Sequence, residues 1–222
     1  MNADRVDRLR RWHDQTSADL HLRGVGDVEY LGLRLHVPAT VFPPAAMSEL
    51  LGRAVLDDTG VDDRVLDMGT GCGVNAILAA RVAHDVVAVD VNPDAVAAAR
   101  LNCERHGVSD RVDCRVGDLF DSVDGTFDLV IFDPPFRWFA PRDQLEMAFA
   151  DEDYRTLTSF FEQVGDRLRP HGRVLVFFGT TGDLAYLEEL IAAVGMRAEQ
   201  CSSSTLHRDG QDEEYVVFLL TR

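Results

Sequence analysis

Asp133-Pro134-Pro135-Phe136 is the segment of this chain whose residue types are best arranged for chemistry. It follows Leu129-Val130-Ile131-Phe132, an apolar run that reads as a buried strand ending in a carboxylate. Prolines hold a turn in a fixed shape and lack N–H groups, so the carbonyls become its main polar feature. The Asp133 side chain and the Pro134 carbonyl are then two acceptors at one strand end, and Phe136 can lie flat against a planar group. This arrangement suits an amide, a nucleobase amine or a guanidine, whose nitrogen lone pair is delocalised. Acceptors placed on the N–H groups rotate or pyramidalise the nitrogen and free that pair for attack. The competing reading is an ordinary strand-to-loop stop followed by a core phenylalanine.

A second segment supplies a ligand cradle. Val65-Leu66-Asp67 is an apolar strand ending in an acid, and Gly69, Gly71 and Gly73 follow in a Gly-x-Gly-x-Gly turn. Such a turn lets backbone approach a nucleotide-like ligand closely. Asp90 closes the next strand and could accept two hydrogen bonds from a ribose diol. NAD is a competing ligand, but its fingerprint needs Gly-x-Gly-x-x-Gly, and Val74 stands at the third glycine position. The acids could also merely cap helices or turns, a reading that explains each one singly but not their shared sheet edge.

The elements that would position these residues alternate. Strands are expected at 64–67, 86–90, 111–116, 128–132 and 173–178, with helices near 74–83, 93–106, 154–168 and 183–194. Two further strands are expected at 197–202 and 214–220, with a short polar loop over 206–212 between them. The pattern predicts an α/β fold, a seven-stranded and mostly parallel sheet with one antiparallel strand. Ahead of it, residues 3–18 read as a helix, 28–31 and 33–37 as a hairpin, and 45–56 as another helix. The expected organisation is an N-terminal helix and hairpin cap over 1–45 and a ligand-binding domain over 46–222.

Taken together, these motifs resemble the class I S-adenosylmethionine-dependent methyltransferases, in the N-methylating branch with an Asp/Asn-Pro-Pro-aromatic motif. Within it the chain is similar to the release-factor glutamine methyltransferase and "methyltransferase small domain" group. The resemblance implies S-adenosyl-L-methionine as cofactor. It places the adenine at Gly117-Asp118-Leu119, with Asp118 on the amino group and Leu119 beside the ring. It turns Asp67 and the backbone at Asp133 toward the methionine amino group, and makes Asp133, Pro134 and Phe136 the catalytic set. The glutamine enzymes usually carry Asn-Pro-Pro-Tyr, and the departures at Asp133 and Phe136 point away from release-factor methylation.

Charge bears on the acceptor. Thirty-eight acids against 22 bases leave a formal net charge of −16. Nucleic-acid binding draws affinity from phosphate neutralisation, so this balance disfavours such a partner. Arg5, Arg8, Arg10 and Arg11 cluster, but Asp4, Asp7 and Asp14 interleave with them and read as a solvated helix face. A small-molecule, protein or peptide acceptor is expected, with an RNA base amine as the alternative. A non-catalytic cofactor-binding partner protein is the reading from another class. Arg137, Trp138 and the acidic run Asp151-Glu152-Asp153 with Tyr154 could line the acceptor pocket, although a helix start explains that run better. Cys72, Cys103, Cys114, Cys201 and the histidines lack metal-ligand spacing, so no metal is expected. No apolar run is long enough to span a membrane, and the charged N-terminus has no signal-peptide core, which implies a cytoplasmic location.

Overall fold

The computed structural model describes residues 3–222. The chain begins with helix α1 (Ala3–Arg23), then the antiparallel pair β1 (Gly26–Tyr30) and β2 (Leu33–Val37). A single 3-10 turn over Ala46–Ser48 leads into α2 (Glu49–Asp58). Then come β3 (Arg64–Met68), α3 (Val74–Ala79), β4 (Asp85–Asp90), α4 (Pro93–Arg105), β5 (Val112–Val116) and β6 (Phe127–Phe132). The chain closes with α5 (Arg155–Val164), β7 (Leu168–Gly179), α6 (Leu184–Ala193), β8 (Arg197–Arg208) and β9 (Gln211–Thr221).

The large sheet has seven strands in the order β5-β4-β3-β6-β7-β9-β8. Six run in one direction, β9 alone is antiparallel to both of its neighbours, and β8 lies at the edge. The central strands are apolar on both faces because helices cover both. One apolar layer joins α2, α3 and α4 to β1–β2 through Leu33, Leu35 and Val37. The other packs Phe120, Phe132, Phe160 and Phe161 with Leu187 and Ile191 of α6. The order of β3, β4 and β6 places the switch point beyond β3, where an open α/β sheet leaves a crevice at its strand carboxyl ends.

Four elements differ from expectation. Helix α1 runs to Arg23, past the expected stop at residue 18, and His21 in that continuation meets Asp143 of the loop that follows β6 at 2.9 Å. Helix α3 stops at Ala79, short of residue 83, and α5 ends at Val164 in a 3-10 turn before β7 starts. The expected polar loop over 206–212 is strand. Arg208 pairs with Gln211, so Asp209 and Gly210 alone make the turn, both at positive φ. Asp-Gly is a favoured two-residue hairpin turn. The alternation that should have announced the hairpin is blurred because β8 is an exposed edge strand.

Candidate active site

A cavity of about 460 Å³ opens at the carboxyl ends of β3, β4, β5 and β6. Its floor is the turn after β3. Gly69 and Gly71 both have positive φ, and a Cβ at either would meet no protein atom, so their α-carbons face open space. Gly73 behaves differently. It caps α3 at φ +87°, a Cβ there would stand 3.0 Å from Ala99 on α4, and it is absent from the cavity wall. Its glycine is required for helix packing rather than for ligand contact.

Asp67 is 1% exposed and also lies behind the wall. Thr70 Oγ1 donates to its Oδ2 at 2.6 Å, and Ala76 N donates to the same atom at 3.0 Å. The carboxylate therefore ties the glycine turn to the first turn of α3. Burial, only partly offset by those two donors, pushes its pKa up to about 6.

Asp90 lines the cavity with both oxygens anchored. Gly71 N donates to Oδ2 at 2.8 Å and Asn92 N to Oδ1 at 2.9 Å. A carboxylate accepts about four hydrogen bonds, so two lone-pair sites remain for a ligand diol. Burial raises its pKa. Asp118 and Leu119 lie on the same wall, with Leu119 held at φ +46°. Gly117 is dictated sterically, since a Cβ would collide with Ser122 Oγ at 2.1 Å. Asn75 was not foreseen. It lines the cavity, and its Oδ1 is buried with no partner among the described residues. A buried orphan acceptor beside a glycine cradle fits a ligand that brings its own N–H donor.

Asp133, Pro134, Pro135 and Phe136 line the other end. Phe136 packs at 5.2 Å from Phe178 and 6.4 Å from Tyr215, and Tyr154 Oη donates to its carbonyl at 3.1 Å. Asp133 has no hydrogen-bond or ion-pair partner among the described residues. Burial first, and the buried Asp67 charge second, push its pKa up to about 7. Tyr30 of β1, Phe42 and Phe149 complete this end; Phe42 opens the Phe42-Pro43-Pro44 segment, whereas nothing local in the sequence marks Tyr30 or Phe149. Arg137 lines it as expected, whereas Trp138 points away and packs on Phe139 and Tyr154. Asp151 accepts from Thr156 N and Leu157 N, both at 3.0 Å, which confirms the helix-start role.

The roof over this end is made by α1, the loop 137–150 and the tip of the β8–β9 hairpin. Glu146, 1% exposed, accepts from Ser17 Oγ at 2.6 Å and lies 3.6 Å from His13 Nε2. Trp12 Nε1 donates to Asp209 Oδ2 at 2.6 Å. The arginines of α1 serve this packing in part, with Arg8 over Trp12 and Arg10 over Phe139.

The sequence profile of the methyltransferase small domain family matches residues 45–201. The chain belongs to that family. Membership makes S-adenosyl-L-methionine its methyl donor, and the glycine cradle, Asp90 and the Asn75 orphan are consistent with that ligand. This methyltransferase is 36% identical over 110 residues to a putative protein N5-glutamine methyltransferase of Methanocaldococcus jannaschii, covering 49% of the chain and 54% of the relative. It is 34% identical over 137 residues to a ribosomal protein uL3 glutamine methyltransferase of Bordetella pertussis, covering 59% and 44%. The chain thus spans about half the length of the curated relatives it matches. Among solved structures, the 16S rRNA N2 G1207 methyltransferase of T. thermophilus, in complex with AdoMet and guanosine, superposes with a TM-score of 0.62 at 20% identity. That match covers 89% of this chain and 50% of the other, and it establishes the fold alone. No helix among the described residues is long and apolar enough to cross a membrane.

Proposed function

We propose that this methyltransferase methylates the nitrogen of a carboxamide, with a glutamine side chain as the model acceptor. The glutamine methyltransferases among its relatives support that choice. The observation that carries it is Asp133, a cavity-facing carboxylate without a protein partner at the end of β6. A half-buried carboxylate shielded from water and without a partner is costly, and an incoming N–H donor removes that cost.

The cofactor supplies a methyl group already activated on a sulfonium. The protein's part is alignment and proton handling. The Asp133 carboxylate accepts one N–H of the acceptor amide and the Pro134 carbonyl the other, which turns the nitrogen lone pair toward the methyl group. Asp133 then holds the proton that the nitrogen releases. Phe136, braced by Phe178 and Tyr215, presents a flat apolar wall to the amide plane. Desolvation around Asp133 strengthens both hydrogen bonds.

The test is methyl transfer from labelled donor to free glutamine and to peptides that carry glutamine internally or at the C-terminus, alongside calorimetric titration with S-adenosylhomocysteine. Asp133→Ala is expected to lower turnover by at least about a hundredfold while cofactor affinity stays within a few-fold. Parallel loss of cofactor affinity would make Asp133 a cofactor residue. Transfer to an RNA base amine instead of the amide would displace the carboxamide reading.

A further inference from the structure

Many arginines of this acidic chain form ion pairs. Arg142 reaches Glu146 and Asp14, and Arg173 reaches Asp58 and Asp63. Arg137 is the contrast. It stands four residues after Asp133 and lines the same cavity, yet among the described residues its guanidinium makes no ion pair and no hydrogen bond. Its Nη1 is sealed from solvent and unsatisfied. Two carboxylates of the neighbouring hairpin have other partners. Glu213 accepts from Thr180 Oγ1 at 2.7 Å, and Asp209 from Trp12 Nε1 at 2.6 Å.

The side chain is also held in place. Arg137 N donates to Phe149 O and its carbonyl accepts from Asp151 N at 2.8 Å, so the backbone is pinned on both sides. The guanidinium carbon lies 5.4 Å from the centroid of the Phe149 ring. An aromatic face holds a guanidinium without using its N–H donors, which leaves the fork free for a planar oxyanion. Burial acts most strongly against the charge and Arg208 adds to that pressure, while Tyr215 and Glu213 offset it only in part, so the site gains from an incoming anion.

We propose that Arg137 is a specificity residue that pairs with a carboxylate carried by the acceptor, in the same cavity as the nitrogen that Asp133 holds. This rests on the carboxamide reading above and narrows it. The acceptor is amino-acid-like, with an amide at one end and a free carboxylate at the other, such as free or C-terminal glutamine. A glutamine within a peptide chain has no carboxylate to offer Arg137.

The experiment titrates N-acetyl-L-glutamine, N-acetyl-L-glutaminamide and inorganic phosphate into protein loaded with S-adenosylhomocysteine. The wild type is compared with Arg137→Met and Arg137→Lys. A charge-assisted bidentate pair predicts that the acid binds about tenfold or more tighter than the amide. Arg137→Met is expected to abolish that preference with S-adenosylhomocysteine affinity unchanged, and Arg137→Lys to retain part of it. Equal binding of acid and amide, no binding of the acid, or a preference that survives Arg137→Met overturns the inference. Phosphate binding tighter than the acid overturns the carboxylate assignment. Failure of S-adenosylhomocysteine to bind, read in the loading step, would instead strike at the methyltransferase reading beneath it.

Discussion

The Tyr154 hydroxyl bridges Phe136 and α6: it donates to the Phe136 carbonyl at 3.1 Å and accepts from Asp183 N at 2.7 Å. Asp183 is the N-cap of α6, so one phenol fixes the far end of the Asp-Pro-Pro-Phe turn to a helix that covers the sheet. Tyr154 itself sits at φ +56°, a left-handed conformation that the following helix must hold. Burial pushes the hydroxyl pKa far up, which keeps it a donor at any working pH.

Tyr154→Phe leaves a carbonyl and an N–H without this partner. We expect a stability loss of about 1–3 kcal/mol in denaturant titration. Turnover should fall roughly tenfold through misplacement of the turn, with S-adenosylhomocysteine affinity unchanged. Equal loss of cofactor affinity would show that Tyr154 shapes the whole cavity rather than the acceptor end.

The Asp133 carboxyl, raised to about 7, sets a pH dependence. Its ionised form is the acceptor, so kcat/KM should rise as pH increases through about 7. The bound sulfonium favours the carboxylate, so the limb in kcat should lie lower. Asp133→Asn removes the titrating group, and its residual activity should be flat across this range.

Stability follows the opposite sign. A raised folded-state pKa means the folded protein binds more protons than the unfolded one between about 4 and 7, so stability declines as pH rises through that window. Asp133→Asn should therefore stabilise the protein at pH 8 by on the order of 1–3 kcal/mol and have little effect at pH 4. Thermal unfolding at the two pH values measures both. An equal shift at both would place the gain in packing rather than charge.

Asp67 and the glycine turn form one unit. Asp67→Ala strands the Thr70 hydroxyl and the Ala76 N–H. A loss of about 2–4 kcal/mol is expected, together with at least tenfold weaker S-adenosylhomocysteine binding because the cradle loosens. If affinity is kept, Asp67 is merely structural.

Glu146 holds the roof. Burial opposes its charge, but hydrogen bonds from Arg142 and Ser17 win, and its pKa falls to about 2. Its contribution is thus present above pH 4.5 and lost as pH falls toward 2. Glu146→Ala should cost about 2–4 kcal/mol. It should also speed hydrogen exchange in α1 and weaken acceptor binding more than cofactor binding. Unchanged exchange in α1 would mean that the Leu9 and Trp12 packing suffices.

The sequence by itself determined the parallel sheet, the glycine turn after β3, the acids closing β3 and β4, and the Asp-Pro-Pro-Phe end of β6. Each is local: strand hydrophobicity, a glycine that must take positive φ, a proline that removes a donor. Tertiary structure decided which of those residues face the cavity. Gly73 and Asp67 belong to the same motif as Gly69 and Gly71, yet they turn inward to a helix contact and to a backbone staple. It also brought in Tyr30, Asn75, Tyr154 and the roof, because their roles depend on contacts between segments far apart in the chain, such as Ser17 with Glu146 and Trp12 with Asp209. Such contacts leave no periodicity to read. Burial did the rest: only enclosure by distant elements raises the Asp133 pKa and leaves Arg137 without a counter-ion.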